Sequence, residues 1–235
     1  MNPLLHYTLP VLILLSNCRS TGPDGATITR AEVIRTARSY TTLTWQASPH
    51  HSLHGTAPDG QRIDTPDALT ASPDIHGFWW KEGTNIGMPY KWGGFDTPAQ
   101  FAERLSTEPH VYAGDYASTA KVRGGDEAVS RYAAGVDCSG LVSRCWGLPR
   151  PYSTRELPGI CTPLDSLDEL RPGDILLRPG EHVQLFVRWE NEERSHYRSI
   201  EAGGDPAWRC NEVILHRDTL TTHRGFTPWR YKGIR

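Results

Sequence analysis

The chain opens with helix-type spacing of its apolar residues and closes with a run of short, strand-like segments. Ile28, Val33, Ile34, Ala37, Tyr40 and Leu43 fall loosely on one side, so residues 28–45 are expected to form a helix. Residues 97–105 and 125–134 read as short helices, and 138–147 as an apolar helix. Beyond them, Arg171-Pro172-Gly173-Asp174 is a turn that launches Ile175-Leu176-Leu177 as a strand. Residues 182–189, 196–202, 210–216 and 229–234 complete a set of expected strands. Helices first and strands afterwards predict an α+β fold, with an antiparallel sheet packed against the helix at 138–147. Residues 47–77, dense in Pro, Gly, His and Asp, read as an irregular excursion. No internal repeat is visible.

Composition narrows the possibilities further. At 235 residues, one principal domain is expected. An apolar fraction of 37% and a charged fraction of 22% describe an ordinary globule, and a net charge of -2 gives no reason to expect nucleic acid as partner. Eight Trp and nine Tyr suit either a filled core or a cleft for peptide or carbohydrate.

The first eighteen residues differ from the rest. The run Leu9-Pro10-Val11-Leu12-Ile13-Leu14-Leu15 before Ser16-Asn17-Cys18 is too short to span a bilayer and resembles a secretory leader. Cys18 there resembles a bacterial lipoprotein processing site, which would export the chain and tether it to a membrane. With Cys18 lipidated and Cys138 reactive, at most one disulfide could form among Cys145, Cys161 and Cys210. Cys145 lies on the helical face of Cys138 and reads as a buried small residue. His50, His51 and His54 lack a carboxylate or cysteine partner, and no Cys/His spacing resembles a zinc site, so no metal is expected.

The candidate chemistry begins at Gly135-Val136-Asp137-Cys138-Ser139-Gly140-Leu141-Val142, where a loop becomes an apolar helix. Asp137 can cap the orphan amides of the first turn, and Cys138 lies at the positive end of the helix dipole, which favours thiolate. About forty residues on, Arg178-Pro179-Gly180 leads into Glu181-His182-Val183-Gln184, putting a histidine at a strand start. Cysteine followed by a distant histidine is the minimum for a thiol hydrolase or transferase. If 190–193 is the tip of a hairpin, residue 182 opposes 201, and Glu201 becomes the group that orients His182. Glu181 points to the other face.

Several segments, in order, resemble the NlpC-type (NlpC and p-sixty) papain-like cell-wall cysteine peptidases. They are Gly87-Met88-Pro89-Tyr90-Lys91-Trp92-Gly93-Gly94, Asp137-Cys138-Ser139-Gly140-Leu141-Val142, Arg171-Pro172-Gly173-Asp174-Ile175, His182-Val183 and Ser199-Ile200-Glu201-Ala202, spread over about 115 residues. The resemblance implies a papain-like fold, with residues 87–235 as the catalytic domain, 19–86 as an N-terminal extension and 1–18 as a leader. It implies Cys138 as nucleophile, His182 as base and Glu201 as the third member, where most members carry His, Asn or Gln. Backbone amides at the helix start and Tyr90 would hold the oxyanion. Trp92 would wall the cleft, and Asp137, Ser139, Ser153 and Arg155 would contact the substrate. An insertion over about 95–134, longer than the family's usual loop, is expected to reshape the cleft.

The activity implied is hydrolysis of amide bonds in peptidoglycan stem peptides, between γ-D-glutamate and a diamino acid, by a monomer in the bacterial envelope without a cofactor. Its partner would be a stem peptide or muropeptide. Two alternatives stand beside it: an amidase or acyltransferase acting on another amide or a lipid ester, and a non-catalytic wall-binding lipoprotein.

Overall fold

A computed structural model of the chain describes residues 27–52, 55–63, 82–203, 208–221 and 225–235. The leader at 1–18, Cys18, His54 and most of the excursion at 47–77 lie outside the described residues. Among the described residues, no helix is long and apolar enough to cross a membrane.

The first helix, α1, spans Arg30–Thr41. Thr29 caps it and forms a capping box with Glu32, and Val33, Ala37 and Tyr40 supply its buried stripe. It ends four residues before the expected boundary at 45. The Thr42 N–H closes on Arg38, and Thr44–Ala47 becomes a strand that buries Trp45 and Ala47 on alternate positions. β-branched threonines on both sides of Leu43 favour that switch. Gly83–Ile86 pairs antiparallel with this strand.

Helix α2, Pro98–Thr107, starts from the cap Thr97 and buries Phe101. Helix α3, Thr119–Gly124, is capped by Ser118. The helix expected at 125–134 is not there: a single 3-10 turn over Gly125–Ala128 is followed by the short strand Ala133–Ala134. That strand pairs in parallel with Tyr112–Ala113, closing the base of the insertion and leaving it a folded lobe. Helix α4, Cys138–Cys145, is capped by Asp137.

The architecture is mixed α/β around a six-stranded antiparallel sheet. Its strands are β1 (Cys161–Pro163), β2 (Ile175–Arg178), β3 (His182–Trp189), β4 (His196–Ala202), β5 (Cys210–His216) and β6 (Thr227–Tyr231), in the order β5-β4-β3-β2-β6-β1. Alternation on the strands splits the interior in two. Val183, Leu185 and Ile200 join the stripe of α1 and Leu141, Val142 and Cys145 of α4 in the main core. Leu176, Phe186 and Tyr197 face the other way, into a second core with Phe226. Each of these large side chains contributes roughly 1.5–3 kcal/mol on burial.

One buried carboxylate ties the two ends of this body to the sheet. Asp174, with no exposure, accepts from Arg30 at 2.9 Å, from Arg230 at 2.7 Å and from the Arg171 N–H at 2.9 Å. A charge so placed persists only when paired on all sides. Nearby, the Ile28 N–H donates to Gly233 and the Arg235 N–H returns to Ile28, at 3.0 and 2.9 Å.

Candidate active site

Cys138, His182 and Glu201 meet at one end of the sheet, each delivered by a different local rule. Asp137 stops the chain in an extended conformation and accepts from the Gly140 N–H at 2.5 Å and the Ser139 hydroxyl at 3.0 Å. Cys138 therefore opens α4, beside the unsatisfied amides of the first turn. Burial raises the Asp137 pKa against the hydrogen bonds from Gly140 and Ser139.

Close approach of backbone fixes where α4 begins. A Cβ at Gly140 would lie 2.1 Å from the carbonyl oxygen of Gly94, which no side-chain rotation relieves. Gly140→Ala is expected to cost about 3 kcal/mol and to draw Cys138 away from His182. A lowered denaturant midpoint together with slower alkylation of Cys138 checks this. A variant as stable and as reactive as the native chain would show that the contact is not tight.

Glu201 reaches His182 by a different pairing from the expected one. The turn is wider than 190–193 because Asn191 accepts from the backbone N–H groups of Ser195 and His196 and holds residues 190–195 as the loop. Arg198 consequently pairs with Arg188, three positions away from the expected register. An odd displacement would turn Glu201 to the wrong face. Val187 then bulges, and Ser199 pairs with Phe186 and Ile200 with Leu185, so the net displacement beyond the bulge is two. Continued one step, this sets Glu201 across from Gln184 and diagonal to His182. The face is the expected one, and His182 Nε2 lies 2.7 Å from Glu201 Oε2.

A buried amide missed by the sequence reading holds that carboxylate and is itself held by a buried phenol. Gln184 Nε2 donates to the same Glu201 oxygen at 2.9 Å, and the Tyr197 hydroxyl donates to Gln184 Oε1 at 3.2 Å. The signal for Gln184 was an amide inside an otherwise apolar strand, a group that requires a buried partner.

The site's electrostatics follow from these contacts. Burial pushes the His182 imidazole down, but the charge and hydrogen bond of Cys138, then the hydrogen bond and charge of Glu201, outweigh it and raise the pKa to about 10. The ring lies between the Glu201 carboxylate and the Cys138 sulfur, and both favour its charged form. Burial first, then the charges of Cys138, Asp137 and Asp115, push Tyr90 well above the usual phenol range, so it stays a donor. Burial alone raises Cys145, and it leads the upward shifts of Cys161, to about 12, and Cys210. These thiols and Cys138 are all free, with no disulfide among the described residues.

A cleft of 430 Å³ opens over Cys138, and Tyr90, Trp92, Asp137, Ser139, Ser153, Arg155 and His182 all line it. Ser139 directs its hydroxyl proton at Asp137, and Trp92 donates its indole N–H to the Gly125 carbonyl at 3.0 Å. Arg155 lies against Gly180, where an added Cβ would come within 3.2 Å of its Nε. Sequence reasoning missed Trp208, edge-on to Tyr90 at 5.2 Å; the insertion, expected to reshape the cleft, lines it through Val122, Asp126 and Val129. The insertion's Lys121 is buried 2.8 Å from Asp115 and donates to the Ala128 carbonyl. Among the described histidines of the excursion, His51 accepts from the Ser48 N–H at 3.2 Å. Among the described residues, no group of three or more side chains could hold a metal ion.

The arrangement can make a thiolate, protonate a leaving group and donate hydrogen bonds to an oxyanion, all around one sulfur. No known family model, characterised protein or solved structure significantly matches this chain.

Proposed function

We propose that the protein is a cysteine peptidase of the NlpC type, papain-like in architecture, that hydrolyses peptidoglycan stem peptides between γ-D-glutamate and the diamino acid that follows. The observation that carries this reading is the contact of His182 with Glu201 at 2.7 Å, in a cleft whose floor is Cys138 at the start of a helix. The scissile bond and the envelope as place of work come from the resemblance of the motifs.

In the first half-reaction the Cys138 sulfur attacks the amide carbonyl carbon. Charge develops on the carbonyl oxygen, where amides at the start of α4 and the Tyr90 hydroxyl can meet it. His182 gives its proton to the leaving nitrogen, the C–N bond breaks and a thioester remains on Cys138. In the second half, His182 takes a proton from water, hydroxide adds to the thioester and the thiolate leaves. Glu201, held by Gln184, keeps the imidazole aimed throughout and stabilises its charged form. The cycle requires no cofactor.

Mass spectrometry of L-Ala-γ-D-Glu-diaminopimelate and of intact muropeptides after incubation with residues 22–235 tests the reading. The expected result is cleavage after γ-D-Glu. If neither substrate is cut while the thiol still reacts with an alkylating probe, the chemistry belongs to another acyl substrate, such as a different amide or a lipid ester. An unreactive thiol would leave the cleft as a binding surface.

A further inference from the structure

The charged groups lining the cleft are not equivalent. Asp137 is committed to its cap, Glu181 pairs with Arg178 at 2.8 Å and His182 is held by Glu201. Two remain with no ion pair or hydrogen bond to their side chains among the described residues: Asp126 on the insertion and Arg155 beside Gly180.

Asp126 stands on an anchored element. Its 3-10 turn is tied at one end where the Gly125 carbonyl accepts from Trp92, and at the other where the Ala128 carbonyl accepts from Lys121 at 3.0 Å. Lys121 is itself locked by Asp115, and Asp115 exchanges backbone hydrogen bonds with the Tyr90–Trp92 segment beside the nucleophile. The carboxylate is therefore presented on a fixed wall, between the apolar Val122 and Val129. Placing an unpaired charge on a rigid support lets it discriminate among ligands without first being ordered.

We propose that Asp126 is a specificity-determining residue that reads a cationic group of the substrate, while Arg155, beside Gly180, takes an anionic one. The cleft then selects dipolar acyl compounds that carry both an ammonium and a carboxylate. In substrate terms this rests on the peptidase reading above and adds the insertion to it. A diamino acid with a free amine is the kind of group that Asp126 would hold.

Two experiments separate the charge selection from the peptidase reading. In the first, Cys138 is modified by methanethiosulfonate reagents with a cationic, a neutral or an anionic tail, and the Cys138→Ala chain supplies the background. Asp126→Asn is expected to lower the cationic-to-neutral rate ratio by roughly 3- to 10-fold, and Arg155→Gln the anionic-to-neutral ratio by a similar factor. Unchanged ratios overturn the proposal. In the second, a stem peptide with a free diamino-acid amine is compared with its N-acetylated form. Asp126→Asn is expected to lower kcat/KM for the free amine roughly 10-fold more than for the acetylated peptide, chiefly through KM. Equal losses overturn it. If the native chain cuts neither peptide, the peptidase reading fails, and the reagent ratios still decide whether Asp126 and Arg155 select charge.

Discussion

Replacing Cys138 with alanine is expected to lower stem-peptide cleavage by roughly 10⁴-fold or more and to leave the chain folded. The reaction needs an electron pair on sulfur, and the neighbouring hydroxyl cannot stand in for it. Ser139 has its proton directed at Asp137 at 3.0 Å. The only atom lost is the sulfur of a residue that is 7% exposed, so the change in stability should stay within about 1 kcal/mol. Single-turnover cleavage and a denaturant midpoint, measured on the same preparation, read the two effects. A variant that keeps more than about a hundredth of the native rate would remove Cys138 from the chemistry. A variant without turnover that keeps its full biological effect would make the protein a binder.

Glu201→Gln should lower kcat/KM by roughly 10- to 100-fold. The amide keeps the size of the carboxylate but removes its charge, so the imidazolium loses part of what holds it protonated. His182→Ala should lose more, because Glu201 acts only through that ring. The pH profiles should move as well. His182 is raised from 6.5 to about 10, so its contribution to stability is fully present below about 6.5 and is lost as pH rises through about 10. In Glu201→Gln that alkaline decline should begin at lower pH. NMR titration of the imidazole, with denaturation from pH 6 to 10.5, would show both. An imidazole that titrates at the same pH in the two proteins would show that Glu201 is not its electrostatic partner.

Much of the fold was legible because the strands carry their own signal. The three strands at residues 182–189, 196–202 and 210–216 have the expected limits, since apolar alternation and bounding turns agree there. The helix that opens at Cys138 was readable from Asp137 and the apolar run behind it. Less visible were features set by contacts distant in sequence. Residues 125–134 have helix-compatible spacing, yet Ala133 and Ala134 are drawn into a strand by Tyr112 and Ala113. Lys121 is paired inside the lobe with Asp115, six positions earlier in the chain, a contact that no local pattern records. The meeting of Glu201 with His182 was anticipated through a register that does not occur: the wide loop at Asn191 and the bulge at Val187 were both unseen, and their displacements leave the same face forward. Gln184 and Tyr197 were passed over because a strand pattern records which residues are inside, not which of them bond to each other.

The hydrogen bonds between Ile28 and residues 233 and 235, beside the shared carboxylate of Asp174, bear on how this molecule comes apart. Chain ends are ordinarily where unfolding starts, one loose terminus at a time. Here each end of the described body is the lid on the other, because Arg30 and Arg230 share one anion and Ile28 bonds to both Gly233 and Arg235. Peeling either away takes one of the two guanidinium partners from a buried charge, so the two ends fray together or not at all.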